Sequence, residues 1–275
     1  MADTGKRILI LGGSGFLGHA LYKELCPYFD TYATYCSARR RFEDNAKFLR
    51  YDMQEDDIFP LLEEVKPQVI ISAVRGDFGA QIQAHAHLVE YLAGHQARMY
   101  FLSSANVFDA YSKYPSYELD KTLSESVYGR LKIRIENMLL RLPQERMGII
   151  RLPMVFGNAS PRTRELLTAL KEVNPIEVFP NLIMNVTSDD KLCQQLHYMI
   201  NRDKHGIFHL GSRDLVHHED FIGEICSHLS ENRPIFKRVY TTNDERYLAV
   251  LPKHSKLPKN LQYSYQEVID MHISQ

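Results

Sequence analysis

The sequence predicts an α/β fold: a doubly wound parallel sheet with a smaller, irregular C-terminal domain. Three observations point there. The chain opens with a compact apolar run, Arg7 to Leu11 (RILIL), then a glycine turn, GGSGFLG, then a helical pattern, HALYKELCPYF. Strand-like and helical runs alternate from there to about residue 152, which implies right-handed crossovers and helices on both faces of a sheet. The 275 residues are 44% hydrophobic and 24% charged, a composition that builds a core without disulfides or metal.

Each element has its own signal. Thr31 to Cys36 (TYATYC) is rich in aromatic and β-branched residues and reads as a second strand. Phe48 to Tyr51 reads as a short third strand before Asp52. Ile58 to Val65 predicts a helix stopped before Pro67. Val69 to Ala73 (VIISA) is the next strand, Ala80 to Gly94 the next helix, and Arg98 to Ser103 (RMYFLS) the strand after it. Ser124 to Arg141 keeps a helical period, with Ile133, Ile135, Met138, Leu139 and Leu142 as its buried stripe. Met147 to Leu152 (MGIIRL) closes the regular part.

The pattern changes after Pro153. Residues 154–185 carry turn signals (GNASPRTR, NPIEVFPNL). A helix over Ser188 to Ile200, a strand over Ile207 to Leu210 and a helix over His218 to Leu229 follow, and the tail is rich in Pro and Lys. The expected division is a first domain over 1–155 and a second over 156–275, with segments of about 188–211 returning to the first. Asp189 and Asp190 read as first-turn charges of a helix.

Charge and cysteine content narrow the function. The 33 Lys and Arg nearly cancel 34 Asp and Glu, a net charge of -1, so bulk charge gives no case for nucleic-acid binding. Cys26, Cys36, Cys193 and Cys226 lack CxxC spacing, and the 12 His lack HExxH partners, so no metal site is expected. The N-terminal apolar run is too short for a signal peptide, and no stretch approaches the length of a membrane span. A cytoplasmic protein with no membrane partner is the expectation.

The glycine turn carries the first chemistry. Gly12, Gly15 and Gly18 stand between a strand and a helix. The first permits a tight turn, the second lets a pyrophosphate approach the helix N-terminus, and the third lets helix and strand pack closely. This is the fingerprint of a Rossmann-type dinucleotide site. An NAD-selective site has an acid at the end of the second strand. Here Cys36 and Ser37 stand in its place and Arg39, Arg40 and Arg41 follow. Guanidinium groups match a 2'-phosphate, which favours NADP over NAD. The expected cofactor-binding set is Gly12, Ser14, Gly15, Phe16, Leu17 and Gly18 at the turn, with Ser37, Arg39 and Arg40. Asp52 and Met53 border the adenine; Ala73, Val74 and Arg75 stand at the end of the fourth strand and just after it; Tyr128 and Lys132 complete the set.

Ser103 and Ser104 end a sheet strand, where ligand crevices form. Downstream, SVYGRLK places Tyr128 and Lys132 four residues apart on a helix, so both share one face. A free tyrosine has a pKa near 10, and a neighbouring ammonium favours its phenolate. Tyr128 can then give a proton to a carbonyl oxygen as hydride arrives on carbon, while Ser104 hydrogen-bonds that oxygen. Ser104, Tyr128 and Lys132 are the expected catalytic set.

These residues resemble the extended short-chain dehydrogenase/reductase family. The similarity is to its branch of dTDP-4-dehydrorhamnose reductase and the related regulatory subunit of methionine adenosyltransferase, which is RmlD-like and binds sugar nucleotides. It runs from about Lys6 to the C-terminus on the glycine turn, Ser103-Ser104 before Val107-Phe108-Asp109, the Tyr128/Lys132 pair, Glu136, RLPMVFG at 151–157 and GIFHLGS at 206–212. The resemblance implies an NADPH-dependent oxidoreductase that transfers hydride to the keto group of a nucleotide-linked sugar. It also implies that the Tyr128 helix contributes to contacts between two copies, compatible with a homodimer. Two alternatives stay open: an epimerase or dehydratase with retained NAD, and a non-catalytic NADP-binding regulatory subunit. The departures are Ala105-Asn106 where the branch has Asp-Tyr, a shortened stretch over Ala73 to His85, and His85 in the place of a structural Asn. Arg75 lies beside the expected nicotinamide pocket, placed for a phosphate of cofactor or substrate.

Overall fold

The computed structural model describes residues 5–37 and 42–271. The chain divides into two compact units, each built from three segments. The first takes residues up to Ser103, Arg130–Ile150 and Cys193–Ile207; the second takes Ser104–Gly129, Arg151–Leu192 and Phe208 onward.

In the first unit the strands β1 (Arg7–Leu11), β2 (Asp30–Tyr35), β3 (Phe48–Arg50), β4 (Val69–Ser72) and β5 (Arg98–Ser104) alternate with helices α1 (Phe16–Leu25), α2 (Phe59–Val65) and α3 (Phe78–Gly94). Helix α4 (Val127–Leu139) leads into β6 (Met147–Leu152). The sheet has seven strands in the order β11-β6-β5-β4-β1-β2-β3, where β11 is Gly206–His209. The pairs β1–β2, β1–β4, β2–β3 and β4–β5 are parallel. Order reverses between β1 and β4, and such a switch point opens a crevice at the carboxyl ends of those strands.

Local chemistry fixes these elements. Strand β1 is buried from Ile8 to Leu11, as a central strand covered on both faces must be. Helix α2 has a Pro in its first turn and ends at Lys66 in the left-handed region, φ 48°. Asp77 caps α3 by accepting from the Ala80 N–H. The core joins Leu9, Ile70, Leu88, Phe101, Ile135 and Ile149.

In the second unit β7 (Met154–Phe156) leads to helix α5 (Pro161–Glu172), then β8 (Ile176–Val178), β9 (Leu182–Met184) and β10 (Val186–Ser188). Helix α6 (Asp189–Asn201) starts here and carries the chain back into the first unit. After β11 come β12 (Val216–His217), α7 (His218–Leu229), β13 (Phe236–Arg238), β14 (Arg246–Leu248) and α8 (Tyr265–Asp270). Small sheets β10-β7, β12-β9-β14 and β13-β8 surround a second core of Phe156, Leu166, Val178, Met184, Phe221 and Tyr263.

Helices α5 and α4 depart from the sequence reading. Residues 161–172, expected as turns, form α5, because Ser160 caps it through the Thr163 N–H and Pro161 presets its first turn. The helix expected from Ser124 begins at Val127. Ser124 instead donates to the Asp109 carboxylate at 2.9 Å, and Ser126 accepts from the Gly129 N–H at 3.0 Å.

Candidate cofactor and catalytic site

The glycine turn closes β1 onto α1. Gly12 has φ 78°, and a Cβ there would lie 2.8 Å from the Ala73 carbonyl oxygen, so the turn sits against the exit of β4. The Gly12 N–H donates to Thr34 Oγ1 at 2.9 Å, and the Ser14 N–H to the Thr34 carbonyl at 3.1 Å. Gly15 is the N-cap of α1 and offers no capping side chain. The N–H groups of Phe16, Leu17 and Gly18 at this helix start therefore suit an anion. A Cβ on Gly18 would collide with the Gly12 carbonyl. The cradle fits a dinucleotide pyrophosphate, the group its residues would hold.

Around the crevice, Cys36 and Ser37 are exposed at the end of β2. Cys36 Sγ donates to Asp52 Oδ2 at 3.3 Å, and Asp52 Oδ1 accepts from the Gln54 N–H at 3.0 Å. The latter bond, then the thiol, holds the Asp52 carboxyl below its usual range. Met53 is half-buried against the core. Ala73 donates its N–H to the Leu11 carbonyl, Val74 is buried, and Arg75 is exposed. Arg39 and Arg40 lie outside the described residues.

Lys132 belongs to the same unit and is 5% exposed. Its Nζ donates to the Leu102 carbonyl at 3.0 Å and stands 4.6 Å from the Phe101 ring centroid. Burial pushes the ammonium down to about 8; Glu136 opposes that shift and Arg75 adds to it.

The second unit holds Ser104 and Tyr128. Ser104 Oγ accepts from the Asn106 N–H at 3.2 Å and donates to Asn106 Oδ1 at 2.9 Å, capping the short 3-10 turn Ala105–Phe108. Tyr128 lies in the first turn of α4 and is 43% exposed. Lys132 follows one turn later on that unbroken helix, so the phenol and the ammonium leave the same face. Gly129 is buried between them in sequence. A Cβ there would collide with Ser124 Oγ and the Asn106 carbonyl, and that packing fixes the start of α4.

Residues 6–267 match the family described as the RmlD substrate binding domain. The chain belongs to that family. Its fold is shared with solved structures of dTDP-4-dehydrorhamnose reductases. Among similar proteins, methionine adenosyltransferase 2 subunit beta of Xenopus tropicalis is 30% identical over 60% of this chain and 52% of its own length. The matched stretch thus spans about half of that relative. The dTDP-4-dehydrorhamnose reductase of Aggregatibacter actinomycetemcomitans is 25% identical over 91% of this chain and 90% of its own. The structure of dTDP-4-dehydrorhamnose reductase from Yersinia enterocolitica superposes with a TM-score of 0.75, at 20% identity, over 98% of each chain.

Three buried polar groups go beyond the sequence reading. Ser103 was read only as a strand end, yet its hydroxyl donates to Glu136 Oε1 at 2.5 Å. Glu136 was noted only by resemblance; its spacing of four from Lys132 was the available signal. Glu118 is buried and accepts from the backbone N–H groups of Lys253, His254 and Ser255, a pairing no local pattern announces.

Proposed function

We propose that this protein is an NADPH-dependent reductase that transfers hydride to the keto group of a nucleotide-linked sugar, in the manner of dTDP-4-dehydrorhamnose reductase. The observation that carries the reading is the buried Lys132 one helical turn from the half-exposed phenol of Tyr128. Bound NADPH would supply hydride to the carbonyl carbon. Tyr128 gives its phenolic proton to the carbonyl oxygen, and Lys132 favours the phenolate left behind. Ser104 Oγ donates a hydrogen bond to the same oxygen. The glycine turn binds the pyrophosphate, Asp52 and Met53 border the adenine, and Ala73, Val74 and Arg75 border the nicotinamide end. Preference for NADPH is supported by Cys36 and Ser37 standing where an NAD site keeps an acid, with Arg39 and Arg40 following.

One contact favours a second reading, a dinucleotide-binding subunit without turnover. The Ser104 hydroxyl is already donated to Asn106 Oδ1, and a substrate carbonyl must displace that acceptor. The test is a titration with NADPH and NADH followed by nicotinamide fluorescence, then a panel of 4-keto nucleotide sugars followed by NADPH absorbance. Sugar-dependent oxidation that falls at least ~100-fold in Tyr128→Phe supports the reductase. NADPH binding without oxidation across the panel supports the second reading. A folded, cofactor-free protein that binds neither dinucleotide overturns both.

A further inference from the structure

Helix α4 buries two opposite charges on its core face. Lys132 is 5% exposed and Glu136 is 1% exposed, one turn apart, among Leu131, Ile135 and Leu139. Strand β5 meets them with three consecutive residues. Phe101 lies under the ammonium, the Leu102 carbonyl accepts from Lys132 Nζ, and Ser103 Oγ donates to Glu136 Oε1 at 2.5 Å. All five groups belong to one compact unit. A buried ammonium sheds its proton unless an anion shares its surroundings. A carbonyl and an aromatic face supply only partial charge, whereas Glu136, one turn along the helix, offers a full one.

We propose that Glu136, braced by Ser103, is a positioning residue that keeps Lys132 an ammonium at neutral pH and on the face of α4 that carries Tyr128. This rests on the reductase reading only for its consequence in turnover; the charge state of Lys132 is a property of the protein alone. The charged and titratable groups placed about Lys132 include Glu136 and Tyr128, each one turn away on its own helix, Arg75 after β4 and His85 on α3. Arg75 works against the ammonium. His85 is neutral near pH 7, because burial pushes it down to about 4, and so adds no charge. Strand β5 contributes no ionisable side chain to the contact. Of these groups, Glu136 acts to hold the proton on Lys132.

The experiment is an NMR titration of Lys132, read at its side-chain carbon and nitrogen next to the charge, in the full-length protein and in Glu136→Gln and Glu136→Asp. The midpoint is expected to fall by about one pH unit or more in Glu136→Gln and to stay within about half a unit in Glu136→Asp. An unchanged midpoint in Glu136→Gln overturns the proposal, whatever the substrate proves to be. If Glu136→Gln does not fold, the unaltered protein decides: the Glu136 carboxyl signal is expected to move as Lys132 loses its proton. A carboxyl signal indifferent to that step overturns the proposal. If sugar-dependent turnover is found, the alkaline limb of kcat/KM in Glu136→Gln is expected to move to lower pH with the NMR midpoint. Loss of all turnover in the unaltered protein would refute the reductase reading and leave the titration result standing.

Discussion

His85 sits between two fixed partners. Its Nδ1 lies 2.6 Å from the Gln81 carbonyl, an acceptor only, so that nitrogen carries the proton. Nε2 then accepts from Ser72 Oγ at 2.9 Å. The resemblance implies an Asn at this place, and an Asn amide likewise offers both a donor group and an acceptor. The sequence does not show that the ring is buried and neutral, because that depends on β4 and on Phe101 packed edge-on at 5.1 Å. Burial lowers the ring from 6.5 to about 4. The unfolded chain thus gains a proton below about pH 6.5 that the folded chain resists until about pH 4. The group's contribution to stability is whole above the upper value and is lost as pH falls through the lower one. Between about pH 7.5 and pH 5 the loss is about 2 kcal/mol. His209 and His218 are also lowered by burial and add losses of the same sign. We expect His85→Asn to lose about 2 kcal/mol less than the unaltered protein over that interval, as measured by urea unfolding at the two pH values. Equal losses in the two proteins would show that His85 takes up its proton without resistance.

Helix α4 shows how an element was legible in outline and not at its ends. Its apolar stripe gives the helix from sequence alone. Its start is set by Asp109, which accepts from Ser124 Oγ and from the Glu125 N–H at 2.7 Å, a partner fifteen residues upstream. Strand β1 and the glycine turn were readable because every signal there is local. Helix α5 carried its signals too, Ser160 and Pro161, but in a segment whose other residues read as turns. Strands β7 to β10, β13 and β14 are three residues long each, too short for a period of two to register. Gly129 is the residue through which α4 answers to its surroundings. A methyl group there would collide with Ser124 Oγ, held by Asp109, and with the Asn106 carbonyl, which belongs to the turn capped by Ser104. We expect Gly129→Ala to displace the first turn of α4 and Tyr128 with it. Turnover should fall at least ~10-fold and stability by about 1–3 kcal/mol, the usual cost of overpacking. Dinucleotide affinity, which the proposed site places mainly at the glycine turn, should change far less. Unchanged kcat and unfolding midpoint in Gly129→Ala would mean that the helix start yields without cost.

At the scale of the molecule the two units are interleaved rather than consecutive. The chain leaves the first unit after Ser103, returns at Arg130, leaves again after Ile150 and returns at Cys193. The last return supplies α6 from Cys193 onward and the start of β11, the strand at the edge of the seven-stranded sheet beside β6. Leu196, Met199 and Ile200 of that helix are fully buried. Tyr100 of β5 is also fully buried, and its hydroxyl donates to the Lys204 carbonyl at 2.6 Å and the Met199 carbonyl at 3.3 Å. Lys6 donates to the Ile200 carbonyl at 2.9 Å and pairs with Asp203, which Arg98 also meets at 3.2 Å. A cut at residue 155 removes all of these partners from a sheet that otherwise remains whole. It leaves the Tyr100 hydroxyl without its acceptors and a strip of apolar core open to water. The sequence reading already returns residues of about 188–211 to the first domain, although the glycine turn and the Tyr128/Lys132 pair both lie within 1–155. We expect a fragment of residues 1–155 to unfold in urea without a cooperative transition and to bind NADPH far more weakly than the full chain. Joining residues 189–209 to it through a Gly/Ser linker should restore a cooperative transition. A bare 1–155 fragment that unfolds cooperatively would show that α6 and β11 decorate the sheet rather than complete it.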